Sequence, residues 1–251
     1  MENNYKEQLV ALQKEHDELL AINKHLSEQN KELKQFSHLA SHDLQQPLNN
    51  IISYLSLLDS SKDNLDDIGK LSLNVISKST AKMKSYITSL LDLSLIGTSK
   101  KSEKVVLKEV LTDVKDALYQ QIATSNADLS FNLIDHQIEG IKNDFYLLFL
   151  NIIENAVKFH KEGSKPKIIV TSEIKDNNYL YTIADNGIGI VKDQFDTIFE
   201  IFKTLHPDEE FEGVGIGLAQ AQKITKLYNG EIGLDSAPNK GTTFYISFPK
   251  G

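Results

Sequence analysis

The sequence predicts a multidomain α plus α/β protein. A parallel coiled coil and a dimeric four-helix bundle come first, and an α/β sandwich domain with a mixed sheet follows. Seven-residue and 3–4 apolar spacings fill the first part of the chain, whereas short alternating segments interleave with helices after a polar linker. We expect residues 1–35 to form the coil, 36–98 a helical hairpin, 99–104 the linker and 105–251 the α/β domain.

Composition excludes several classes of protein. The chain has 251 residues, enough for two compact units, and its net charge of −8 argues against a basic nucleic-acid surface. It has no cysteine, so disulfides and thiolate chemistry are excluded. No apolar stretch reaches the roughly 20 residues that cross a bilayer, and a charged N-terminal segment rules out a secretory signal. We therefore expect a cytoplasmic chain with no membrane segment as given, and a sensor ahead of Met1 is left open.

The N-terminal segment carries a seven-residue repeat on two seams. One seam is formed by Leu12, Leu19, Leu26 and Leu33, and the other by Leu9, His16, Asn23, Asn30 and Ser37. A strict seven-residue repeat imposes a left-handed coiled coil, and asparagine on one seam favours a parallel pair. The alternative, a single solvated helix, would be marginal in water. The pattern predicts a dimer.

The second seam continues into the hairpin through Leu44, Ile51 and Leu58. Pro47 predicts a local bend, because proline lacks an amide donor and clashes one turn back. His42 lies about 100° or more around the helix from the seam, so its imidazole is expected to face outward. An exposed imidazole beside a bend suits a phosphate acceptor better than a core residue.

A polar break at residues 59–64 separates this helix from a second amphipathic helix that ends near Gly97. Two helices joined by a short loop form an antiparallel hairpin, and two hairpins form a four-helix bundle. Met83 and Tyr86 are expected to pack inside that bundle.

The α/β domain is predicted from strand and helix signals that alternate after the linker. The expected helices are Leu111–Ile122, Asp144–His160 and one that opens at Gly213 and runs to Leu227. The expected strands are Val105–Leu107, Leu129–Ile134, Lys167–Ile174, Tyr179–Ala184, Glu231–Leu234 and Thr242–Phe248.

One helix carries amide and ammonium groups on a single face. Asn151, Asn155 and Lys158 stand at i, i+4 and i+7 in an otherwise apolar segment. Amide oxygens are hard ligands of the kind that Mg²⁺ prefers, and an ammonium can reach phosphate oxygens. The plainer alternative is a solvated polar face, but a buried asparagine pair needs partners.

Two glycine-containing segments follow this helix. Asp185 ends a strand and precedes Gly187 and Gly189, whose lack of a side chain permits close backbone approach. Alone, this segment would be a simple turn. The run that begins at Gly213 opens a helix, where backbone amides bind phosphate. The acidic, irregular stretch that follows Lys203 is typical of a mobile lid.

These motifs resemble the catalytic core of a two-component sensor histidine kinase. They follow, in this order, the segment Ser41-His42-Asp43-Leu44-Gln45-Gln46-Pro47. The resemblance covers residues 36–250, and its second half is similar to the ATP-binding fold shared with Hsp90, gyrase and the MutL repair proteins. It implies a magnesium ligand at Asn155, which Asn151 supports, and a phosphate contact at Lys158. It also implies phosphate or lid contacts at Lys203, Gly213, Gly215, Gly217 and Leu218, and nucleotide contacts at Asn151, Asn155, Asp185, Gly187, Gly189, Phe202 and Thr243.

The resemblance also implies a function. We expect a homodimeric, Mg²⁺- and ATP-dependent kinase that phosphorylates its own His42, with Asp43 holding the other ring nitrogen. An aspartate on the receiver domain of a separate response regulator would then take the phosphoryl group, and an upstream sensor would act through the coil. Gln46 stands where regulator phosphatases carry threonine or asparagine, which puts phosphatase activity in doubt. A degenerate scaffold and a MutL-like ATPase clamp are the alternatives, but the clamp needs a glutamate where this chain has Asn151.

Overall fold

The computed structural model describes residues 44–98, 102–205 and 215–250, together with Gln13, His16, Leu20 and Lys24. The four N-terminal residues are helical and exposed. The rest of the predicted coil, the predicted catalytic pair His42 and Asp43, and Gly213 lie outside the described residues. Contacts divide the chain into two compact units, Met1–Thr80 and Ala81–Gly251.

The described part of the first unit is helical, as predicted. Residues 44–59 are helical, a short 3₁₀ turn covers Lys62–Asn64, and helix α2 spans Asp67–Leu95. We call the helical residues 44–59 helix α1. The carboxylate of Asp66 caps α2 by accepting the N–H of Gly69 at 2.7 Å. No helix in the described part of the chain is long and apolar enough to cross a membrane.

The apolar side chains of this first unit fall into two groups. Leu48, Leu55 and Leu73 are buried. A larger group stays exposed on the same two helices: Leu44, Ile51, Tyr54, Leu57, Leu58, Ile68, Leu71, Val75 and Ile76. Packing of the two helices against each other therefore leaves much of their apolar surface exposed.

The described part of the second unit contains two sheets and four further α-helices. Strands β1 (Glu103–Val106) and β3 (Gln137–Gly140) form a small antiparallel sheet. The larger sheet has the order β2-β4-β5-β7-β6, and it is mixed because β2 and β4 are parallel while the other pairs are antiparallel. Its strands are β2 (Asp128–Asn132), β4 (Lys167–Lys175), β5 (Asn178–Asp185), β6 (Glu231–Ala237) and β7 (Gly241–Pro249). The helices are α3 (Leu107–Ala117), α4 (Tyr119–Thr124), α5 (Lys142–Lys158) and α6 (Gly217–Leu227).

The core of this unit lies between the sheet and its helices. Fully buried residues of α5 and β7 meet there, and the ring of Phe145 lies 5.6 Å, edge-on, from that of Phe248. Tyr228, just after α6, stacks on Phe145 at 4.5 Å and donates a hydrogen bond to the carboxylate of Asp144 at 2.7 Å. These contacts fix α5 and α6 side by side on the sheet. The predicted mixed-sheet α/β fold is confirmed.

Three predicted elements differ in detail. The single helix predicted at Leu111–Ile122 is two helices, α3 and α4, which meet at the buried residue Leu118. Strand β3 was missed because four residues are too few for a reliable alternation. The last two strands were predicted without their order in the sheet, and β7 lies between β5 and β6, so β6 is a sheet edge.

Candidate functional site

Helix α5 carries two predicted site residues into a cavity of the second unit. Its buried face includes Phe149 and Ile153, which pack into the core, and this orientation sets where the polar face points. Asn155 and Lys158 line the cavity. The side chain of Asn155 forms no hydrogen bond with another described residue. Its amide oxygen is therefore available to a ligand.

Asn151, one turn earlier, is placed differently. Its Nδ2 donates a hydrogen bond to Oε1 of Gln220 on α6 at 2.9 Å, and Asn151 is absent from the cavity wall. Its Oδ1 lies beside Gly217, where an added Cβ would approach it to 2.6 Å. Asn151 therefore joins α5 to the first turn of α6.

Two lysines, Lys158 and Lys203, line the cavity. The ammonium of Lys158 lies 4.3 Å from the ring centroid of Phe159, a cation–π contact that places it at the C-terminal end of α5. Lys203 reaches the cavity from the segment that follows the 3₁₀ helix Thr197–Phe199. Two cations that line the cavity make the site suitable for an anionic ligand.

Among the described residues that line the cavity, Asp185 is the acidic one. Its Oδ1 accepts the backbone N–H of Gly187 at 2.8 Å and of Thr242 at 3.0 Å. Burial raises the pKa of Asp185, and these two hydrogen bonds oppose the shift because they favour the ionised form. No described residue donates to Oδ2, so the carboxylate is held by one oxygen and can accept from a ligand through the other.

The first turn of α6 completes the cavity. Gly215, Gly217 and Leu218 line it, and Gly215 has a φ of +70°, a conformation that favours glycine. Ile216, at the N-cap, provides no side-chain hydrogen bond to the helix start. The first amides of α6 are thus left for a ligand, and their geometry and dipole suit a phosphate.

Besides Asn151, three predicted nucleotide contacts lie away from the cavity wall in the described structure. Gly187 acts on Asp185 through its backbone N–H. Thr243 points to the opposite face of β7 from its neighbour Thr242, which lines the cavity. Phe202, with a φ of +66°, packs edge-on against Tyr86 at 5.6 Å, so Tyr86 contacts this loop rather than bundle residues alone.

Sequence reasoning missed Thr242 and Gln220. The alternation of β7 could have found Thr242, since it shares a strand face with the buried residues Phe244, Ile246 and Phe248. Gln220 had no such signal, because a single glutamine in an amphipathic helix is ordinary. The other missed lining residues are apolar except for Thr204: Ala156, Phe159, Ile188, Ile190, Ile198, Leu205 and Phe244.

Comparisons with known proteins agree with this geometry. Residues 140–251 match the family described as Histidine kinase-, DNA gyrase B-, and HSP90-like ATPase. Residues 32–99 match the His Kinase A (phospho-acceptor) domain. The second unit thus carries an ATP-binding domain of this class, and the helical region before it is a phospho-acceptor domain. Together the two domains make this chain a sensor histidine kinase catalytic core.

Two curated proteins are similar to most of this chain. The chain is 33% identical over 237 residues to Cyanobacterial phytochrome A of Nostoc sp., covering 94% of this chain and 31% of that protein. It is 29% identical to Sensor histidine kinase RppB of Synechocystis sp., covering 86% of this chain and 49% of that protein. The chain therefore spans no more than about half the length of these curated relatives.

Solved structures support the fold. The crystal structure of full-length ShkA in complex with AMPPNP has a TM-score of 0.66 at 21% identity, over 86% of this chain and 45% of that one. The Acinetobacter baumannii histidine kinase AdeS has a TM-score of 0.57 at 19% identity, over 84% of this chain and 98% of that one.

Proposed function

We propose that the chain is an ATP-dependent protein-histidine kinase that phosphorylates its own His42 and passes the phosphoryl group to an aspartate of a separate response regulator. The observation that carries this proposal is the convergence of Asn155, Asp185 and the start of α6 on one cavity. These residues come from three distant segments, and each supplies a group that one nucleotide needs. The cytoplasm, where ATP is available, is the proposed location.

The chemistry of the cavity walls supports ATP as the ligand. The apolar residues Ile188, Ile190 and Phe244 can enclose a base, while Oδ2 of Asp185 can accept its amino group. The amides of the first turn of α6, with Lys158 and Lys203, provide positive potential for the phosphates. Phosphoryl transfer depends mainly on positioning and charge neutralisation, which this arrangement supplies.

Mg²⁺ is the proposed metal. The described residues contain no group of three or more His, Asp or Glu side chains that could hold a metal by themselves. Mg²⁺ usually binds through one or two protein oxygens together with substrate phosphates, and the unpartnered amide oxygen of Asn155 on the cavity wall fits that role. Bound there, the ion would neutralise phosphate charge.

The acceptor and its neighbour are proposed from the sequence, since His42 and Asp43 lie outside the described residues. One nitrogen of the His42 ring would attack the γ-phosphorus, and ADP would leave with the bridging oxygen. Asp43 would accept a hydrogen bond from the other ring nitrogen and keep the attacking nitrogen unprotonated. Gln46 is exposed on α1. A side chain at this position would orient water for dephosphorylation of the regulator. Because glutamine is longer than the threonine or asparagine of regulator phosphatases, phosphatase activity is not part of this proposal.

We further propose a homodimer in which residues 36–98 form the phosphotransfer hairpin and residues 105–251 the ATP-binding domain. The linker is residues 99–104, and residues 1–35 form a coil that receives an upstream signal. The exposed apolar side chains of the first unit, including Leu44, Ile51 and Ile76, support a second hairpin as their cover.

Two alternatives are less well supported. A degenerate scaffold would not need the cavity groups of Asn155 and Asp185. An ATPase clamp needs a carboxylate at position 151 to activate water, whereas Asn151 is an amide that is hydrogen-bonded to Gln220. Both observations favour transfer to a side chain.

The test is incubation of the whole chain with [γ-³²P]ATP and Mg²⁺. We expect label that is lost in acid and stable in alkali, as a phosphoramidate is. His42→Gln should abolish the label while nucleotide binding survives, whereas His16→Gln, on the exposed N-terminal helix, should retain it. Full labelling of His42→Gln would refute the assignment of the acceptor.

A further inference from the structure

Gln220 makes two hydrogen bonds from a buried position. Its side chain is 4% exposed, on α6 one turn after the helix start. Its Oε1 accepts from Nδ2 of Asn151 at 2.9 Å, and its Nε2 donates to the backbone oxygen of Ser89 on α2 at 3.0 Å. One glutamine thus joins α5 and α6 to the part of α2, residues 81–95, that belongs to the second unit.

The donor and acceptor groups of Gln220 and Asn151 can be assigned in only one way. The backbone oxygen of Ser89 can only accept, so Gln220 must present its NH₂ group to α2. Its carbonyl oxygen then faces Asn151, which must present its own NH₂ group. Oδ1 of Asn151 is consequently turned to the first turn of α6, beside Gly217. A backbone carbonyl of α2 therefore fixes the orientation of an amide next to the phosphate-binding end of the cavity.

A second contact secures the same pair of helices. The ammonium of Lys223, one turn after Gln220, donates to the backbone oxygen of Leu93 in the last turn of α2. That turn contains no basic residue of its own, and a cation at a helix C-terminus is favourable. Tyr86 and Phe202 add an aromatic contact between α2 and the loop before α6. The position of α2 residues 86–95 against α6 is thus set at three points.

We propose that Gln220 is a positioning residue of the kinase: it holds Asn151 in the orientation that the nucleotide site needs, and it does so only while Ser89 of α2 is in contact. This inference rests on the proposed function. It predicts that release of α2 from α6 weakens nucleotide binding, because the glutamine then loses the partner that fixes both amides. Gln220 itself touches no substrate.

The test compares Gln220→Met with Gln222→Met in the whole chain. Methionine keeps the length of the side chain and removes both hydrogen bonds, and Gln222 lies on the same helix, where it accepts only from Lys226. Titration calorimetry with Mg·ADP measures affinity, and hydrogen–deuterium exchange reports on residues 86–95. For Gln220→Met we expect affinity to fall about five- to tenfold, the effect of a buried amide that loses its partner. Exchange in residues 86–95 should also accelerate, and Gln222→Met should match the wild type in both measurements.

A second variant separates the two hydrogen bonds. Gln220→Glu keeps an acceptor for Asn151 but cannot donate to Ser89 when ionised, so it should accelerate exchange in residues 86–95 and lower affinity less than Gln220→Met. Unchanged affinity in Gln220→Met, with or without faster exchange, would overturn the proposed relay. So would equal affinity losses in Gln220→Met and Gln222→Met.

Neither measurement depends on phosphorylation of His42. A wild-type chain that binds Mg·ADP but incorporates no phosphate would refute the proposed kinase activity, yet the affinity and exchange differences would still decide the role of Gln220. In a chain that does phosphorylate itself, Gln220→Met should raise KM for ATP more than it lowers kcat, a split that general loss of stability does not produce.

Discussion

The side chains around the cavity differ in how firmly the protein holds them. Asp185 is fixed by two backbone N–H donors before any ligand arrives. Asn155 has no hydrogen-bond partner among the described residues, so its amide stays available for a metal or a phosphate-bound water. Substitutions at these two positions should therefore affect binding and stability differently.

Asn155→Ala should weaken Mg-dependent nucleotide binding by at least about tenfold, because a hard oxygen ligand is lost while the helix gains a strong helix former. Stability should be unchanged or slightly higher, since no hydrogen bond to another described residue is broken. Titration calorimetry of Mg·ADP, with thermal unfolding alongside, measures both effects. Asn143→Ala, an exposed site near the other end of α5, is the control. If Asn155→Ala binds Mg·ADP as tightly as that control, the metal site lies elsewhere.

Asp185→Asn should weaken nucleotide binding about tenfold or more, because the amide no longer offers a charged acceptor. The same substitution should raise the free energy of unfolding, because it removes a buried charge. Burial raises the pKa of Asp185 in the folded protein, so the ionised carboxylate is less favourable there than in the unfolded chain. That penalty is fully present above the folded pKa and disappears as the pH falls below the unfolded value of about 3.9.

The stability gain of Asp185→Asn should therefore be largest at neutral pH and shrink toward pH 4. The amide oxygen can still accept from Gly187 and Thr242, so the turn is retained. Thermal unfolding across pH, with the exposed Asp235→Asn as reference, checks the sign. A stability loss at neutral pH that grows with rising pH would contradict the argument.

At the scale of single elements, the helices determine where the functional groups of the cavity point. The apolar face of α5 orients Asn155 and Lys158 together, and the start of α6 aims its amides at the same cavity. Helix α1 continues the seven-residue phase of the N-terminal seam, with Leu44, Ile51 and Leu58 at equal intervals. From this shared phase we expect an upstream rotation of the predicted coil to be passed on to α1.

This continuity predicts how insertions near Glu28 should act. Each inserted residue rotates the attached helix by about 100°, and seven residues restore the original face. Autokinase activity should therefore vary with a seven-residue period in a series of one to eight inserted residues, measured by ³²P incorporation. A matched series inserted in the turn at residues 176–177, between β4 and β5, should show no such period. Activity that ignores insertion length near Glu28 would show that the coil is only a tether.

At the scale of the whole molecule, the two units differ in how completely they bury their apolar side chains. The second unit buries a continuous core of its own, whereas the first leaves large apolar side chains exposed. Monomeric proteins seldom expose so many large apolar side chains on two neighbouring helices, so a second copy is their expected cover.

A chain that starts at Phe36 should therefore be a dimer by light scattering. Combining Ile51→Glu with Ile76→Glu should make it monomeric at micromolar concentrations, because charges would be placed on the covered apolar face. Ile174→Glu is the matched control, since Ile174 is also about half exposed but lies on β4 of the second unit. A monomer before any substitution would refute the dimer.

Much of this arrangement follows from the order of side chains along the chain. The apolar spacing of α5 predicted which residues it buries, and therefore that Asn155 and Lys158 point the same way. The position of Asp185 at a strand end followed from an equally local signal, whereas the helix predicted to open at Gly213 begins at Gly217. Local periodicity and turn chemistry act over a few residues, so the sequence alone determined the helical first part, the mixed α/β second part and the charged and amide side chains among the described residues of the cavity wall.

Tertiary structure decided what depends on contacts between distant segments. The position of β7 between β5 and β6 follows from strand pairing, which no local pattern encodes. The choice of Thr242 over Thr243 for the cavity depends on which face of β7 meets the helices. The role of Gln220 exists only because Asn151, 69 residues earlier, and Ser89, 131 residues earlier, are brought to its two ends. A hydrogen bond needs its partners within about 3 Å, and only the folded chain sets which residues come that close.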